Sequence, residues 1–471
     1  MTLDLTSPKD RHRLLQIALR TDFVSFFRKV FHTVYPEKAY MHGDHINLLC
    51  MRLIRGLQED QTKLIINLPP RSLKSLLVSV ALPAYLLGRK PGTQILVVSY
   101  SDVLGKTLTD QFRRVIEADW YRALFPDLKF TINTDNKAVT HRNGFRHAIS
   151  VGGSLTGVGG DIIILDDPMK PDEAASEMQR ESVKNWFSQT LYSRINEKQK
   201  SRIILVMQRL HQDDLSGFLL ERGGFDHICL PAIAETEICL PISPKRTFVR
   251  QPGQALHPER ESLKELERIK LMLGSQIFAA QYLQQPVPSQ GNMVRREWIH
   301  YFQPQERPTE FSEIVQSWDT ASKPGDENDW SVGLTLGIHD ERIYILDVVR
   351  GKWEYPDLER QVIIFAERWQ PTRILIEDAG VGTGLIASMK KLTRWNILER
   401  RPQGSKESRV YAQTGCLEGG RVLFPAEAPW LADLVTELLA FPNAKHDDQV
   451  DSLMQMLTWF NTDRQPPRWF A

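Results

Sequence analysis

The sequence predicts an α/β protein of two domains, the first on a parallel central sheet and the second on a mixed sheet. Three observations carry this. Aliphatic runs of strand length alternate with helix-period segments between residues 64 and 117, the pattern of strands joined by crossover helices. The chain has 471 residues, more than one ordinary core holds. Beyond a loosely patterned, proline-bearing stretch at 231–296, three strand-like runs follow one another before any helix. The expected divisions are a helical lead-in at 1–60, a first domain at 61–235, a linker at 236–300, a second domain at 301–462 and a tail at 463–471.

The lead-in reads as helices because Leu14, Ile17, Phe23, Phe26 and Phe27 fall at roughly helical spacing. Next come a strand at 64–68, a helix from Ser75, a strand at 94–99 and a helix at 103–117. Asn143-Gly144 between two apolar flanks suits a hairpin with a two-residue turn. Buried strands follow at 162–165 and 202–207, and a charged helix at 260–273. In the second domain, strands at 313–319, 331–338 and 343–350 precede a helix at 357–369 and a strand at 373–377. Three antiparallel strands, a helix and a fourth strand is the opening order of a ribonuclease-H-like fold. There the first and fourth strands lie side by side, which would bring Asp319 next to Glu377.

Charged residues at 25% and hydrophobic ones at 42% describe an ordinary globular protein, and a net charge of +1 advertises no polyanion partner. A DNA enzyme of this composition must concentrate its basic residues in one groove. Cys50, Cys229, Cys239 and Cys416 are scattered without CxxC spacing, which excludes a cysteine zinc site or disulfide framework and suits a reducing cytosol. The longest apolar stretch, 76–88, is broken by Ser79 and Pro83 and is too short for a bilayer. With no signal-peptide core either, the expectation is a soluble intracellular protein without a membrane partner.

Two acidic constellations belong to different chemistries. In the first, Leu68-Pro-Pro-Arg71-Ser72-Leu73-Lys74-Ser75 lies between a strand and a helix. Backbone N–H groups of such a loop hold phosphates, Lys74 reaches the β/γ oxygens, and Ser75 ligates Mg²⁺, so ATP with Mg²⁺ is the expected ligand. The loop departs from GxxxxGK[ST], since Leu68 and Leu73 replace both glycines. Ile162-Ile-Ile-Leu-Asp166-Asp167 delivers two carboxylates at a strand's end, where open α/β sheets bind ligands. Asp166 would hold Mg²⁺ and Asp167 would orient or deprotonate the attacking water. Gln208-Arg209, ending the next strand, stands where the γ-phosphate would be sensed.

The second constellation comprises Asp319, Glu377 and His446-Asp447-Asp448-Gln-Val-Asp451. Phosphodiester hydrolysis by two divalent ions, Mg²⁺ or Mn²⁺, needs converging hard oxygen ligands with the ions ~3.5–4 Å apart. Val450, Leu453, Met454 and Leu457 mark a buried helical stripe, so Asp447, Asp448 and Asp451 can share a face. Like charges so crowded cost stability unless cations neutralise them. A cap explains one Asp, not three. Asp329 is an accessory candidate or a turn residue. Gly380-Val-Gly-Thr-Gly384 reads as a flexible turn admitting DNA to Glu377. Arg394, Arg400, Arg401, Lys406 and Arg409 form a basic stretch suited to phosphate contacts, or equally a solvated charged face.

Together these residues resemble the large terminase subunit of tailed bacteriophages over nearly the whole chain. The likeness rests on the Lys74 loop, on Gly-Gly-Ser-Leu-Thr-Gly-Val-Gly-Gly-Asp161 running into Asp166-Asp167-Pro, and on Gln208-Arg209-Leu-His211. It continues through Gln-Tyr-Leu-Gln-Gln-Pro-Val-Pro, Trp318-Asp319, Glu377-Asp-Ala-Gly and the Asp447 cluster. It implies a motor that hydrolyses ATP to drive double-stranded DNA through a portal into a procapsid, and a nuclease that cuts the concatemer. Implied partners are the small terminase subunit, the portal and further copies in a ring, in the cytoplasm of a bacterial host. By the same likeness Gln208 and Arg209 couple hydrolysis to movement, and His45 falls where relatives often contact adenine. Leu73 stands where many relatives have Gly, Asp167 replaces the commoner catalytic Glu, and Val158 occupies a region where relatives often carry Arg. Arg142 and Arg146 remain as arginine-finger candidates. A cellular or prophage-derived helicase-nuclease is the alternative, but it needs a second motor domain that the sequence does not offer.

Overall fold

Strand-length aliphatic runs alternating with amphipathic helices produce the expected layered α/β first unit, as a computed structural model shows. It describes residues 7–58, 62–153, 155, 157–200, 202–243, 245–286, 293–321, 330–444 and 446–464. The chain divides into two units, Met1–Arg268 with Ile277–Val287, and Ile269–Gln276 with Pro288–Ala471.

The first unit opens on helices α1 (Pro8–Thr21), α2 (Phe23–Val34) and α3 (Asp44–Gln58). Asp22 caps α2, accepting from the backbone of Val24 and Ser25. Strand β1 (Thr62–Asn67) leads into the Lys74 loop. The helix expected from Ser75 starts as a π-helical turn, Leu76–Ala81, before α4 (Leu82–Arg89). Then come β2 (Gln94–Ser99), α5 (Asp102–Glu117), α6 (Asp119–Leu124), β3 (Phe130–Asn133), β4 (Lys137–Thr140), β5 (Phe145–Ser150) and β6 (Ile162–Asp166). They are followed by α7 (Glu177–Trp186), β7 (Arg202–Met207), α8 (Leu215–Arg222), β8 (Asp226–Cys229) and the hairpin β9 (Ile238–Ser243) with β10 (Arg246–Arg250). Helices α9 (Leu263–Leu273) and α10 (Ser275–Gln281) run through the first two of the three places where the division changes unit.

The eight-stranded sheet has the order β3-β4-β5-β2-β6-β7-β1-β8, antiparallel only at β3 and β4. Its central strands are buried on both faces, which is why they read as unbroken aliphatic runs. Parallel alignment puts the carboxyl ends of β1, β6 and β7 at one edge, with Lys74, Asp166 and Gln208 just beyond them.

The Asn143-Gly144 hairpin forms, but with four residues between its strands instead of two. Asn143 alone takes a left-handed conformation, with φ 59°. Gly144 is needed for room: a Cβ there would stand 2.1 Å from the Pro91 carbonyl oxygen.

The second unit contains β11 (His300–Phe302), β12 (Glu313–Asp319), β13 (Ser331–His339), β14 (Arg342–Gly351), α11 (Tyr355–Trp369), β15 (Arg373–Glu377) and α12 (Val381–Leu392). It ends with β16 (Ile397–Arg400), α13 (Lys406–Glu418), β17 (Val422–Pro425), α14 (Leu431–Ala440) and α15 (Asp448–Thr462). The sheet order is β11-β17-β14-β13-β12-β15-β16. β12 pairs antiparallel with β13 and parallel with β15, with Trp318 opposite Ile376, so Asp319 and Glu377 leave adjacent strands side by side as expected. The sheet is mixed and ribonuclease-H-like.

The glycine segment at 380–384 is not a flexible turn. It is the start of α12, and Gly382 is required because a Cβ would lie 2.0 Å from the Glu377 carbonyl oxygen. Among the described residues no helix is long and apolar enough to cross a membrane.

Candidate functional sites

At the candidate nucleotide site the Lys74 loop turns without glycine. Arg71 and Leu73 take left-handed conformations, φ 58° and 64°. Alternating handedness turns successive N–H groups inward to form an anion nest. A left-handed L-residue costs about 1–2 kcal/mol, which glycine would avoid. Leu73 is half-buried against the core, and that packing offsets the strain. Leu73→Gly should therefore be more stable than Leu73→Ala by about 0.5–1 kcal/mol in urea melts, reversing the usual rank; alanine keeps the strain and loses the packing. The opposite order would disprove the left-handed loop.

Asp166 is fully buried and held at both oxygens: Ser75 Oγ donates to Oδ1 at 2.8 Å and Ser79 Oγ to Oδ2 at 2.6 Å. Burial and the neighbouring Asp167 push its carboxyl up to about 6, against the two serines and Lys74. Lys74 is buried with its ammonium 3.0 Å from Asp167. Asp167 itself has φ 45°, and its Oδ1 accepts from the Gln208 backbone at 3.2 Å. Gln208 is buried and its Oε1 has no hydrogen-bond partner. A cavity of about 700 Å³ lies over these groups, lined by Arg71, Ser72, Lys74, Ser75, Asp167 and Gln208. Tyr35, Lys38, Tyr100 and Arg260 also line it, and no sequence motif marks them.

Four residues behave otherwise than the sequence suggests. The Arg209 guanidinium does not face this cavity; its Nε donates to buried Asp214 at 3.0 Å and its NH2 group to the carbonyls of His211 and Gln212. Asp214 caps α8 and has spare acceptor capacity, so it captures the nearest cation. Arg146 is fully buried and cannot serve as a finger for a neighbouring copy. Arg142 is exposed on the hairpin turn, level with the start of β2 and at the opposite end of the sheet from Asp166. His45 is buried under the loop and packed on His257, and its Nδ1 has no hydrogen-bond partner. Burial, helped by His257, lowers it to about 3 and keeps it neutral.

In the second unit the acidic residues gather around the end of β12. Burial, then Glu377, Asp451 and Asp448, push the Asp319 carboxyl well above the usual carboxylate range. Burial also raises Glu377, and Arg409 opposes it. Asp448 and Asp451 are buried on the first turn of α15, and Asp448 accepts from the Trp330 backbone at 3.1 Å. Asp447 is the more peripheral acid. It precedes α15 and pairs with Lys406 at 2.7 Å. Asp329 lies outside the described residues.

A polar clamp absent from the sequence reading fixes α15 on β12. Ser317 Oγ donates to the Ser452 carbonyl at 2.7 Å, and Ser452 Oγ to the Ser317 carbonyl at 2.8 Å. Gln455 adds a bond to Ser317 Oγ at 2.9 Å. Buried bonds of this kind hold a fixed register, here that of Asp451 against Asp319.

The basic stretch is not a free face. Arg400 pairs with Asp463, Arg401 with Asp378, Lys406 with Asp447 and Asp451, and Arg409 with Asp451. In a chain with nearly equal acids and bases, each of these cations has found a carboxylate. Arg400, Arg401 and Arg409 nevertheless border one cavity of about 290 Å³ with Glu377 and Asp451. Burial disfavours the Lys406 ammonium, but Asp447 and Asp451 outweigh it and hold the charge.

By chemistry the donor set fits a hard divalent cation: oxygen ligands only, with burial and then three neighbouring carboxylates raising the Asp319 carboxyl. The side chains are not drawn around one point. Among the described residues no group of three His, Cys, Asp or Glu is arranged to hold a metal. Lys406 and Arg409 stand among the acids and supply the compensating charge.

Residues 316–458 match the model of the terminase RNaseH-like domain family. Among solved structures, the large terminase of a thermophilic bacteriophage superposes with a TM-score of 0.57 at 10% identity, over 92% of this chain and 98% of that one. The same terminase in complex with ADP gives 0.56 at 11% identity, over 93% and 99%, and in complex with ATP-gamma-S 0.56 at 10%, over 92% and 98%. No curated protein matches the chain. Residues 316–458 are thus similar to the terminase RNaseH-like domain family, and the chain as a whole shares the fold of a phage large terminase.

Proposed function

We propose that this chain is a phage large terminase subunit, a DNA-packaging ATPase with the motor at 61–235 and a metal-dependent endonuclease at 301–462. One observation carries the reading. A single chain places a Lys–Asp, Ser–Asp phosphate site at the carboxyl edge of a parallel sheet and a four-carboxylate cluster on a ribonuclease-H-like sheet. Fold likeness to the thermophilic phage terminase bound to ADP and to ATP-gamma-S supports it.

In the motor, the nest at 71–75 and Lys74 bind and neutralise the phosphates of ATP. Ser75 and Asp166 are the residues that would hold Mg²⁺, which screens phosphate charge. Asp167, released from Lys74 by the incoming triphosphate, aligns the attacking water and accepts its proton. Gln208, bonded to Asp167 through its backbone, carries the state of that carboxylate into the loop at 208–214. In the nuclease, Asp319, Glu377, Asp448 and Asp451 would hold one or two divalent ions, Mg²⁺ or Mn²⁺, with Asp447 at the margin; such ions activate water and neutralise the phosphodiester. Arg400 and Arg401 exchange their carboxylate partners for DNA phosphates. Double-stranded DNA, the small terminase subunit, the portal of the procapsid and further copies in a ring are the partners this reading assigns, in the host cytoplasm.

The purified chain should hydrolyse ATP faster when double-stranded DNA is present, displace a triplex-forming strand as it translocates, and nick plasmid with Mn²⁺ or Mg²⁺. A chain that shows neither hydrolysis nor cleavage with DNA and both metals refutes the assignment. Lys406→Met should lower the metal-free melting temperature and tighten Mn²⁺ binding on the order of tenfold, because a competing cation leaves the cluster. Calorimetric titration with Mn²⁺ checks this, and unchanged or weaker affinity counts against it.

A further inference from the structure

The fully buried guanidinium of Arg146, on β5, is used by neither site yet lies behind the nucleotide-binding carboxylates. Its Nε donates to the Ser79 carbonyl at 3.0 Å and its NH1 group to Thr109 Oγ1 at 2.8 Å. Its face packs on the Phe112 ring at 5.2 Å, and its second terminal nitrogen is buried without a partner. Ser79 and Thr109 are themselves fully buried. Burying a charge is unfavourable, and an apolar side chain of similar volume would be cheaper. Stability alone therefore gives a weak reason for an arginine here. Burial lowers its pKa to about 9, so it remains a cation at neutral pH, and the opposing charge it feels is that of Asp166.

The connection to that carboxylate runs through one residue. Ser79 accepts from Arg146 with its carbonyl and donates its hydroxyl to Asp166 Oδ2. Ser79 belongs to the π-helical turn Leu76–Ala81, an arrangement frequent at functional sites. Ser75 lies immediately before this turn and donates to the other oxygen of Asp166.

We propose that Arg146 is a positioning residue of the nucleotide site: by holding the Ser79 carbonyl it sets the π-helical turn so that Ser75 and Ser79 grip opposite oxygens of Asp166. The inference deepens the ATPase reading and rests on it. Phosphate binding by the loop at 71–75 does not depend on this grip, so its loss acts on turnover more than on nucleotide affinity.

The test measures DNA-stimulated ATP hydrolysis by the full chain and its Arg146→Met, Arg146→Lys, Ser79→Ala and Thr109→Val variants, with fluorescent-ADP binding as the check on folding. Arg146→Met and Ser79→Ala should lower kcat by about ten- to a hundredfold and leave KM for ATP within about twofold. Arg146→Lys should recover part of the rate, because it restores the charge and one donor. If Arg146→Met does not fold, Ser79→Ala and Thr109→Val decide, each expected to show the same kcat loss at preserved KM. Wild-type kcat in folded Ser79→Ala or Arg146→Met, or losses that appear only in KM, overturn the inference while the ATPase reading stands. A wild-type chain without ATP hydrolysis overturns both.

Discussion

Lys74→Ala should abolish ATP hydrolysis and leave metal-dependent DNA cleavage at the wild-type rate. The ammonium of Lys74 is buried, at the head of the π-helical turn and 3.0 Å from Asp167. It is the cation the loop presents from within; Arg71, Lys38 and Arg260 line the cavity from other positions. Removing a preorganised charge from a site where charge develops costs about a hundredfold or more in rate. The variant also strips Asp167 of its ion-pair partner, so the carboxylate that should align water is left misplaced. The acids of the other unit are untouched. A phosphate-release assay and a plasmid-nicking assay on one preparation check the outcome. If both activities vanish from a folded variant, the division into two independent sites is wrong.

Asp319→Asn should do the reverse, and make the metal-free protein more stable. Cleavage should fall by at least about a hundredfold, since the residue central to the cluster loses its charge. The stability gain follows from linkage. Asp319 has a folded-state pKa raised by burial and by Glu377, Asp451 and Asp448. Above the ordinary carboxylate pKa, the unfolded chain therefore holds fewer protons here than the folded one, and stability declines as pH rises toward the folded value. Each unit of that displacement is worth about 1.4 kcal/mol, and Asn removes it. In EDTA at neutral pH the variant should melt higher than wild type, by a margin that narrows as pH falls toward 4. Added Mn²⁺ should raise the melting temperature of wild type only. A variant that melts lower at neutral pH, or one that still gains from Mn²⁺, rules out Asp319 as the focus of the charge.

The alternation of strands and helices, the neighbouring placement of Asp319 and Glu377, and the cation Lys74 directly ahead of a helix were all legible, because each depends on local periodicity or strand order. Asn143-Gly144 and the 380–384 glycines were read correctly as breaks but wrongly in kind. There glycine answers to the closeness of Pro91 and of the Glu377 carbonyl, which no local rule records. The basic run at 394–409 looked free because its acidic partners Asp447, Asp451 and Asp463 lie far along the chain. Arg146 drew notice as a surface finger and is instead a core cation, since whether a hairpin residue faces out depends on the sheet it joins.

The sequence by itself determined the two-domain α/β plan, the strand ends on which chemistry gathers, and the residue types able to bind phosphate and divalent cations. Hydrophobic period and loop composition act over a few residues, and they suffice for that. Tertiary structure alone decided which charges meet: Ser79 on Asp166, Arg209 on Asp214, Lys406 between Asp447 and Asp451, and the Ser317–Ser452 clamp that sets α15 against β12. Electrostatic and hydrogen-bond energies depend on separation in space and on burial, and neither is written along the chain.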